Sequence, residues 1–589
     1  MVEAVERFWL SLADNVVLLM VVMPLVGAGL VRMMKPSGPE PVYFTALTNV
    51  WLTVGLALIM ISGFEPRRPD ESGFPTRMTS SLSWLADWER QPVDNVPRDG
   101  VARAESKSPP SVGPSRWRAV GPDVRLSVGV NRLSLWFLVL TVATTLAVVR
   151  NISPNDPKVI SKLSWLLVTE SAMLGAFAAQ DVILLALCCQ ISALGLFFLL
   201  GQGGDPGRRE AARRFLLTQT VSGMLILAGV VGVAISHWWM QTTVNPLDAE
   251  LSFSLRRIVA DVPKLAYQTD AAHDLWTAVS PWLFLALCGG LVLRLPMPPF
   301  HHGWFRLSER ADSRIIALMA VGYLPLSFYA AVRIIVPLFP ELAAEMAPRI
   351  FLWGLLSAVF LAVSALVMDN PRRKLAAAGL CSGCVAFGVT FFGDPSGVQG
   401  GLLLTVASSG SLALLHLSAG STRPLNLNQL NSDRPSFVGG LTGRLPVLLG
   451  IAGLAVIPLS GSFWGEIMIL ESVFRRDSSA AFWLIIAACC VALSLRHGWR
   501  DFAKQSEATD PARSSARSDV GNTVLNVMPL ALVLVAAAVT PQWIIGPPRS
   551  TDAENANGET ATQDHGSDPA VRSAVPKSKS LAKSARNAE

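Results

Sequence analysis

The chain has 589 residues, of which 51% are hydrophobic and only 16% charged, with a formal net charge of +6 and a mean hydropathy of +0.42. Soluble domains carry far more charge, so the composition excludes a soluble enzyme and indicates a polytopic membrane protein. The basic residues are scattered over loops rather than gathered into a stripe, which argues against a nucleic-acid partner and leaves the lipid bilayer as their explanation.

Apolar stretches able to cross about 30 Å of hydrocarbon are predicted at residues 8–34, 43–63, 131–149, 160–178, 181–201, 214–236, 276–296, 313–336, 350–368, 374–393, 398–418, 445–470, 480–497 and 523–545. The expected fold is therefore all-α with about fourteen membrane spans. The first span has Glu3 and Glu6 ahead of it and no small-residue cleavage site, so it reads as a retained helix rather than a signal peptide. Residues 1–64 then hold the N-terminal membrane helices. Residues 65–130 are rich in Pro, Ser and Arg and are expected to form an irregular extramembrane insert. The transmembrane core is expected over 131–545. The tail, 546–589, has too few large apolar residues to offset its ordering entropy and is expected to be disordered.

Basic residues cluster in the loops after odd-numbered spans, among them Arg32, Lys158, Arg208, Arg372 and Arg500. Those loops are expected to be cytoplasmic, which places both termini on the other side. All seven cysteines lie in apolar runs and read as small packing residues, including the pair Cys381 and Cys384.

Two spans are interrupted. Gly289 to Trp304 and Pro458 to Glu471 combine Pro or Gly with a charged side chain. A break exposes backbone groups that lipid cannot satisfy, so it survives only where it is buried or lines a polar cavity, and it points to a transport path.

Four runs, Glu170 to Asp181, Arg294 to Trp304, Asn370 to Ala376 and Pro458 to Glu466, resemble in order and spacing the antiporter-like membrane subunits of proton-pumping NADH:quinone oxidoreductase, chain M (subunit 4) above all. Mrp-type antiporters and membrane-bound hydrogenases share this module. The resemblance implies two inverted five-helix repeats, about 160–336 and 350–497, each with one broken helix. It also implies a mid-membrane line of ionisable groups for proton translocation in a bacterial inner membrane. NADH, FMN, iron-sulfur clusters and quinone are then expected in partner subunits of the respiratory complex. None is expected on this chain, and no metal.

Against that pattern, Gln190 stands where the family has a Glu, Arg294 where it has a Lys, Pro325 where it has a second Lys, and Ser382 and Ser409 where it has His. Glu466 alone matches outright. Glutamine exchanges no proton and a guanidinium stays charged, so a direct copy of the family relay is ruled out. Serines at 382 and 409 can still carry a proton along a hydrogen-bonded chain.

Glu466, at a break, reads as a buried titrating group, with a carboxylate facing headgroups as the plainer reading. Arg294 is either a buried fixed charge or an anchor that snorkels to the interface. Glu170 is expected either to pair with Arg294 in place of the missing carboxylate or to bond to neighbouring hydroxyls. His416, seven residues after Ser409, is a candidate proton site or a packed residue. His301 and His302 read as capping or water-lined groups. Two further function classes stay open: a non-conducting coupling subunit, and a module of a Mrp-like antiporter or ion-coupled transporter.

Overall fold

Inside hydrocarbon every backbone N–H and C=O must find its partner within the chain, and helices do this locally. The computed structural model describes residues 2–63, 77–82, 126–202, 206–244, 249–419, 437–458, 460–508, 527–528 and 530–536. The chain divides into Met1–Ile545 and Gly546–Glu589; the second unit, with the tail expected to be disordered, lies outside the described residues, as does most of the insert.

Helices α1 (Val2–Met33) and α2 (Pro39–Gly63) lead to two short strands, β1 (Arg77–Leu82) and β2 (Leu126–Val130). Then come α3 (Arg132–Arg150), α4 (Val159–Ala178), α5 (Val182–Gly201), α6 (Pro206–Val244), α7 (Leu255–Leu265), α8 (Asp270–Arg294) and α9 (His302–Arg310). The next crossing is segmented into α10 (Ser313–Gly322), α11 (Pro325–Ala330), a π-helical turn (Ala331–Ile335) and α12 (Val336–Leu338). The remainder is α13 (Pro340–Val367), α14 (Pro371–Thr390), α15 (Pro395–Ala419), α16 (Phe437–Leu454), α17 (Gly461–Phe474) and α18 (Ser478–Ala508).

Eleven helices among the described residues are long and apolar enough to cross a membrane. The distance from the fourteen spans expected has three sources. Helix α14 opens on Arg372, Arg373 and Lys374, which dilute its apolar content; 445–470 is cut into α16 and α17; and 523–545 is described only at 527–528 and 530–536. Burial then sorts the crossings. Nearly all residues of α3, of Ser313–Leu338 and of α15 are buried, whereas α1, α2, α6, α8, α13 and α18 bury fewer than half. The first group forms the centre and the second shows lipid-type faces, with Trp282, Leu356 and Val367 more than half exposed.

The insert is not wholly irregular. Strand β1 pairs antiparallel with β2 at Ser80 with Val128 and Leu82 with Leu126, using the alternation Leu126, Val128, Val130 that a half-buried strand needs. A second unanticipated element is α7, eleven residues long, too short to cross, which buries Leu255, Ile258 and Val262 on one helical face.

Alternate connections meet at the same end of the bundle. On one face, Val128 bridges Ala179 and Asp181 bridges Ser254, while Arg333 donates to Gln180 Oε1 at 2.9 Å. On the opposite face Arg314 donates to Asn151 O at 2.9 Å, Arg372 to Ala311 O at 3.2 Å and Lys158 to Gln202 O at 2.8 Å. These are called below the hairpin face and the basic face. The path α8–α9 descends from the hairpin face to the basic face, and α17 ends beside Phe392 on the hairpin face, where Arg476 donates to its carbonyl at 3.3 Å.

Candidate functional site

Helix α8 stops because Pro296 and Pro298 supply no N–H and cannot continue its ladder. Carbonyls of its last turns take partners from elsewhere. Gly290 O accepts from Ser222 Oγ at 2.7 Å, and Leu291 O accepts from Ser327 Oγ at 3.0 Å and from Leu295 N at 2.9 Å. The terminal residue, Arg294, has no exposed surface, so it does not snorkel. A cation at a helix C-terminus also complements the dipole there. Its guanidinium reaches sideways, with Nη2 donating to Ser192 Oγ at 3.4 Å and Cζ lying 4.5 Å from the ring centre of Tyr323. Nε and Nη1 have no hydrogen-bond partner. Beside it lies a small apolar cavity lined by Cys189, Leu291, Leu326, Ala330 and Ile334.

Glu170, on α4, is also without exposed surface, and neither carboxylate oxygen has a hydrogen-bond partner. It forms no ion pair with Arg294, contrary to the substitution expected from sequence: both Glu170 oxygens lack partners, and the guanidinium faces Ser192 and the Tyr323 ring. The alternative of bonds to neighbouring hydroxyls is not realised either, since Thr169 bonds to Trp165 O and Ser171 to Val21 O. Gln190 packs its amide on Gly223 of α6, where a Cβ would come within 2.1 Å of Oε1. That glycine is what lets α5 and α6 close over the Gln190 side chain.

The second break has different chemistry. Val456 takes φ of +53°, a left-handed conformation costly for a β-branched residue. Ser460 Oγ donates to Ile457 O at 2.8 Å and accepts from Phe463 N at 3.3 Å, while Ser462 donates to Gly453 O. Helix α17 then lies against α15 backbone to backbone, since a Cβ on Gly465 would meet Leu404 N at 2.6 Å and Gly400 O at 2.7 Å. Glu466 follows directly. It is half-buried rather than enclosed, between exposed Trp464 and Ile467, with Cys381 of α14 inside its electrostatic reach.

Between the breaks, Ser409 lines a cavity with Thr405, Ser408, Gly379, Leu324 and Pro325. Ser382 is buried nearby on α14, its Oγ 3.5 Å from Ala378 O, but it does not line that cavity. His416 is fully buried on α15, within electrostatic reach of Arg372. The structure thus brings Ser409 to the break before Pro325 and Arg294 to Ser192, and it leaves Glu170, His416 and Glu466 as separate stations. His301 is buried with its ring 4.2 Å from that of exposed His302. Among the described residues no cluster of three or more His, Cys, Asp or Glu could hold a metal ion.

Sequence reasoning passed over several polar groups. Tyr323 was one, although it is among only four tyrosines in the chain and stands two residues before Pro325. Lys374, mostly buried in the first turn of α14, was another. His237, fully buried on α6, has Nε2 3.7 Å from Asp261 Oδ2 of α7 and 3.2 Å from Gln241 Nε2; no signal links it to Asp261 in sequence, because α7 itself was missed.

The family model described as NADH:quinone oxidoreductase/Mrp antiporter, TM, matches residues 179–494, more than half of the chain. The NADH-quinone oxidoreductase subunit M of Rhodobacter capsulatus is 21% identical over 564 residues, covering 93% of this chain and 98% of that protein. Among solved structures, a chain of respiratory complex I from Thermus thermophilus with bound NADH matches with a TM-score of 0.64 at 19% identity, over 90% of this chain and 97% of that one. A chain of the Mrp complex from Dietzia sp. matches with a TM-score of 0.58 at 15% identity, over 93% of this chain and 59% of that one. The structural matches establish a shared fold.

Proposed function

Because the chain belongs to the NADH:quinone oxidoreductase/Mrp antiporter membrane family, we propose that it is an integral membrane subunit of a NADH:quinone oxidoreductase-like respiratory complex and supports proton translocation coupled to electron transfer in partner subunits. The observation that carries this reading is the pair of broken helices with Arg294 at one and Glu466 beside the other. In membrane transporters such breaks form binding or conduction sites, and ionisable groups inside a membrane mark ion or proton paths. The subunit M relative, aligned along nearly its whole length, favours this complex over a Mrp assembly.

In this reading Glu466 is the exchangeable group of the second break, Ser409, with Ser382 near it, supports a hydrogen-bonded path, and His416 and Glu170 are further stations. Gln190 orients rather than carries. Arg294 is a fixed charge. The electron carriers NADH, FMN, iron-sulfur clusters and quinone belong to partner subunits, a reading supported by a sequence with no nucleotide-binding loop and no iron-sulfur cysteine set. The basic face, with Lys158, Arg314 and Arg372, is cytoplasmic by the positive-inside rule, and a bacterial inner membrane follows from the bacterial relatives. Both termini then lie on the non-cytoplasmic side.

The test is proton uptake by vesicles carrying the assembled complex, native against Glu466→Gln, with NADH oxidation followed in parallel. Loss of coupled proton movement at intact assembly is expected. Unchanged coupling would favour the non-conducting scaffold, a reading that Gln190 and Arg294 by themselves would suit.

A further inference from the structure

We propose that the cavity beside Arg294 is a binding site for a monatomic halide, chloride above all, which supplies the negative charge that no side chain at the first break provides. The proposal stands on the surroundings of Arg294 alone and holds whether or not the chain moves protons.

Arg294 ends α8 with no exposed surface. Among the described residues its one hydrogen bond goes to Ser192 Oγ at 3.4 Å, and the Tyr323 ring centre lies 4.5 Å from Cζ. Nε and Nη1 each present an N–H with no acceptor. Ser192 adds no charge, since its hydroxyl proton is given to Cys189 O at 2.8 Å. The neighbouring carboxylates are engaged or apart: Arg314 holds Asp312, Arg373 holds Glu309, and neither oxygen of Glu170 has a partner. A guanidinium cannot relieve its burial by shedding a proton. A buried charge without a counter-charge is costly, so a mobile anion is favoured here more strongly than at any exposed arginine.

The cavity decides which anion. Arg294 shares its wall with Cys189, Leu291, Leu326, Ala330 and Ile334, and the space suits about one particle near the size of a water molecule. A buried water needs two to four polar partners, whereas the wall beyond Arg294 offers hydrocarbon and a thiol, and water would leave the charge uncancelled. A halide donates no hydrogen bond and so asks for no acceptor. It receives N–H groups from the guanidinium and the weak S–H donor of Cys189, and the apolar wall suits an ion that is weakly hydrated. Sulfate, phosphate and organic carboxylates are too large for the space and need more donors than one guanidinium supplies. Chloride and bromide meet both limits.

The experiment is binding of radiolabelled chloride to the purified complex at constant ionic strength, with sodium gluconate as the balancing salt, for native protein, Arg294→Met and Ala330→Leu. Arg294→Met removes the cation with little change of bulk; Ala330→Leu keeps the cation and fills the cavity. Native complex should show a saturable increment of bound chloride that bromide displaces and that both variants lose. Chloride should also raise the thermal unfolding midpoint of native complex over gluconate, and leave that of Arg294→Met unchanged. In crystals grown with bromide, an anomalous peak should stand within hydrogen-bond distance of the Arg294 guanidinium. If Arg294→Met fails to assemble, Ala330→Leu and the bromide peak decide the matter. Chloride binding equal in native complex and Ala330→Leu would place the ion elsewhere, for example on the basic face, and overturn the proposal; so would a bromide crystal with water alone beside Arg294. None of these readouts involves proton movement, so a native complex that binds chloride at Arg294 but moves no protons would overturn the reading of the chain and leave this site standing.

Discussion

At the first break a permanent cation is sealed inside protein; at the second the carboxylate-bearing residue is only partly buried. Arg294 has no exposed surface and is stacked on an aromatic ring, whereas Glu466 sits half-buried among exposed apolar neighbours. The two interruptions also satisfy their backbones differently. At the first, hydroxyls from other helices, Ser222 and Ser327, reach over to the carbonyls; at the second, Ser460 and Ser462 of the broken segment itself do so. One break is therefore held by its surroundings and the other by its own sequence. A group fixed from outside suits a constant field, and a partly buried carboxyl on a self-sufficient break suits exchange.

That contrast can be attacked at several points. The largest effect is expected at Gly465→Val, where the new side chain would press into the backbone of α15; a loss of about 3 kcal/mol or more should appear as failed assembly in native gels, and normal assembly would show that α17 is free to move away. Next is Asp312→Asn, beside the first broken helix. Burial raises the Asp312 carboxyl, but the charge and hydrogen bonds of Arg314 more than reverse this and hold it well below the ordinary carboxylate range. A carboxyl held low adds stability that is complete above its unfolded pKa and lost as pH falls towards its folded one. Asp312→Asn should therefore cost about 2 kcal/mol near neutral pH, and its deficit in thermal unfolding should close progressively below about pH 4. Arg294→Lys should be milder, about 1.5 kcal/mol, from the lost fork and weaker stacking; by restoring a titratable amine it should also add a new inflection to the pH profile of coupled turnover. The smallest effect is expected for Ser192→Ala, about 0.5 to 1 kcal/mol, since its bond to Arg294 is long at 3.4 Å.

Sequence reading located the breaks because Pro296, Pro298 and Pro458 interrupt apolar runs, a local signal. It could not tell whether Arg294 was buried or snorkelled, because that depends on Ser192, 102 positions away. Pairing with Glu170 looked reasonable from proximity along the chain and failed because helix packing, not sequence separation, decides which groups meet. Tyr323 was passed over for a similar reason: a tyrosine in an apolar span reads as packing until the fold shows its ring beside the Arg294 guanidinium. The β1–β2 ladder and α7 were missed because the first pairs segments 43 residues apart and the second is shorter than any span.

On the hairpin face, Gln180 acts as a rivet. Its amide N–H bonds to Ser127 O at 2.9 Å, its carbonyl accepts from Leu255 N at 2.9 Å, and its side chain joins Gly129 O and Arg333. Strand β2, the α4–α5 turn, α7 and the π-helical turn are thereby pinned at a single residue. A rocking motion that opened this face would have to shear all four attachments together.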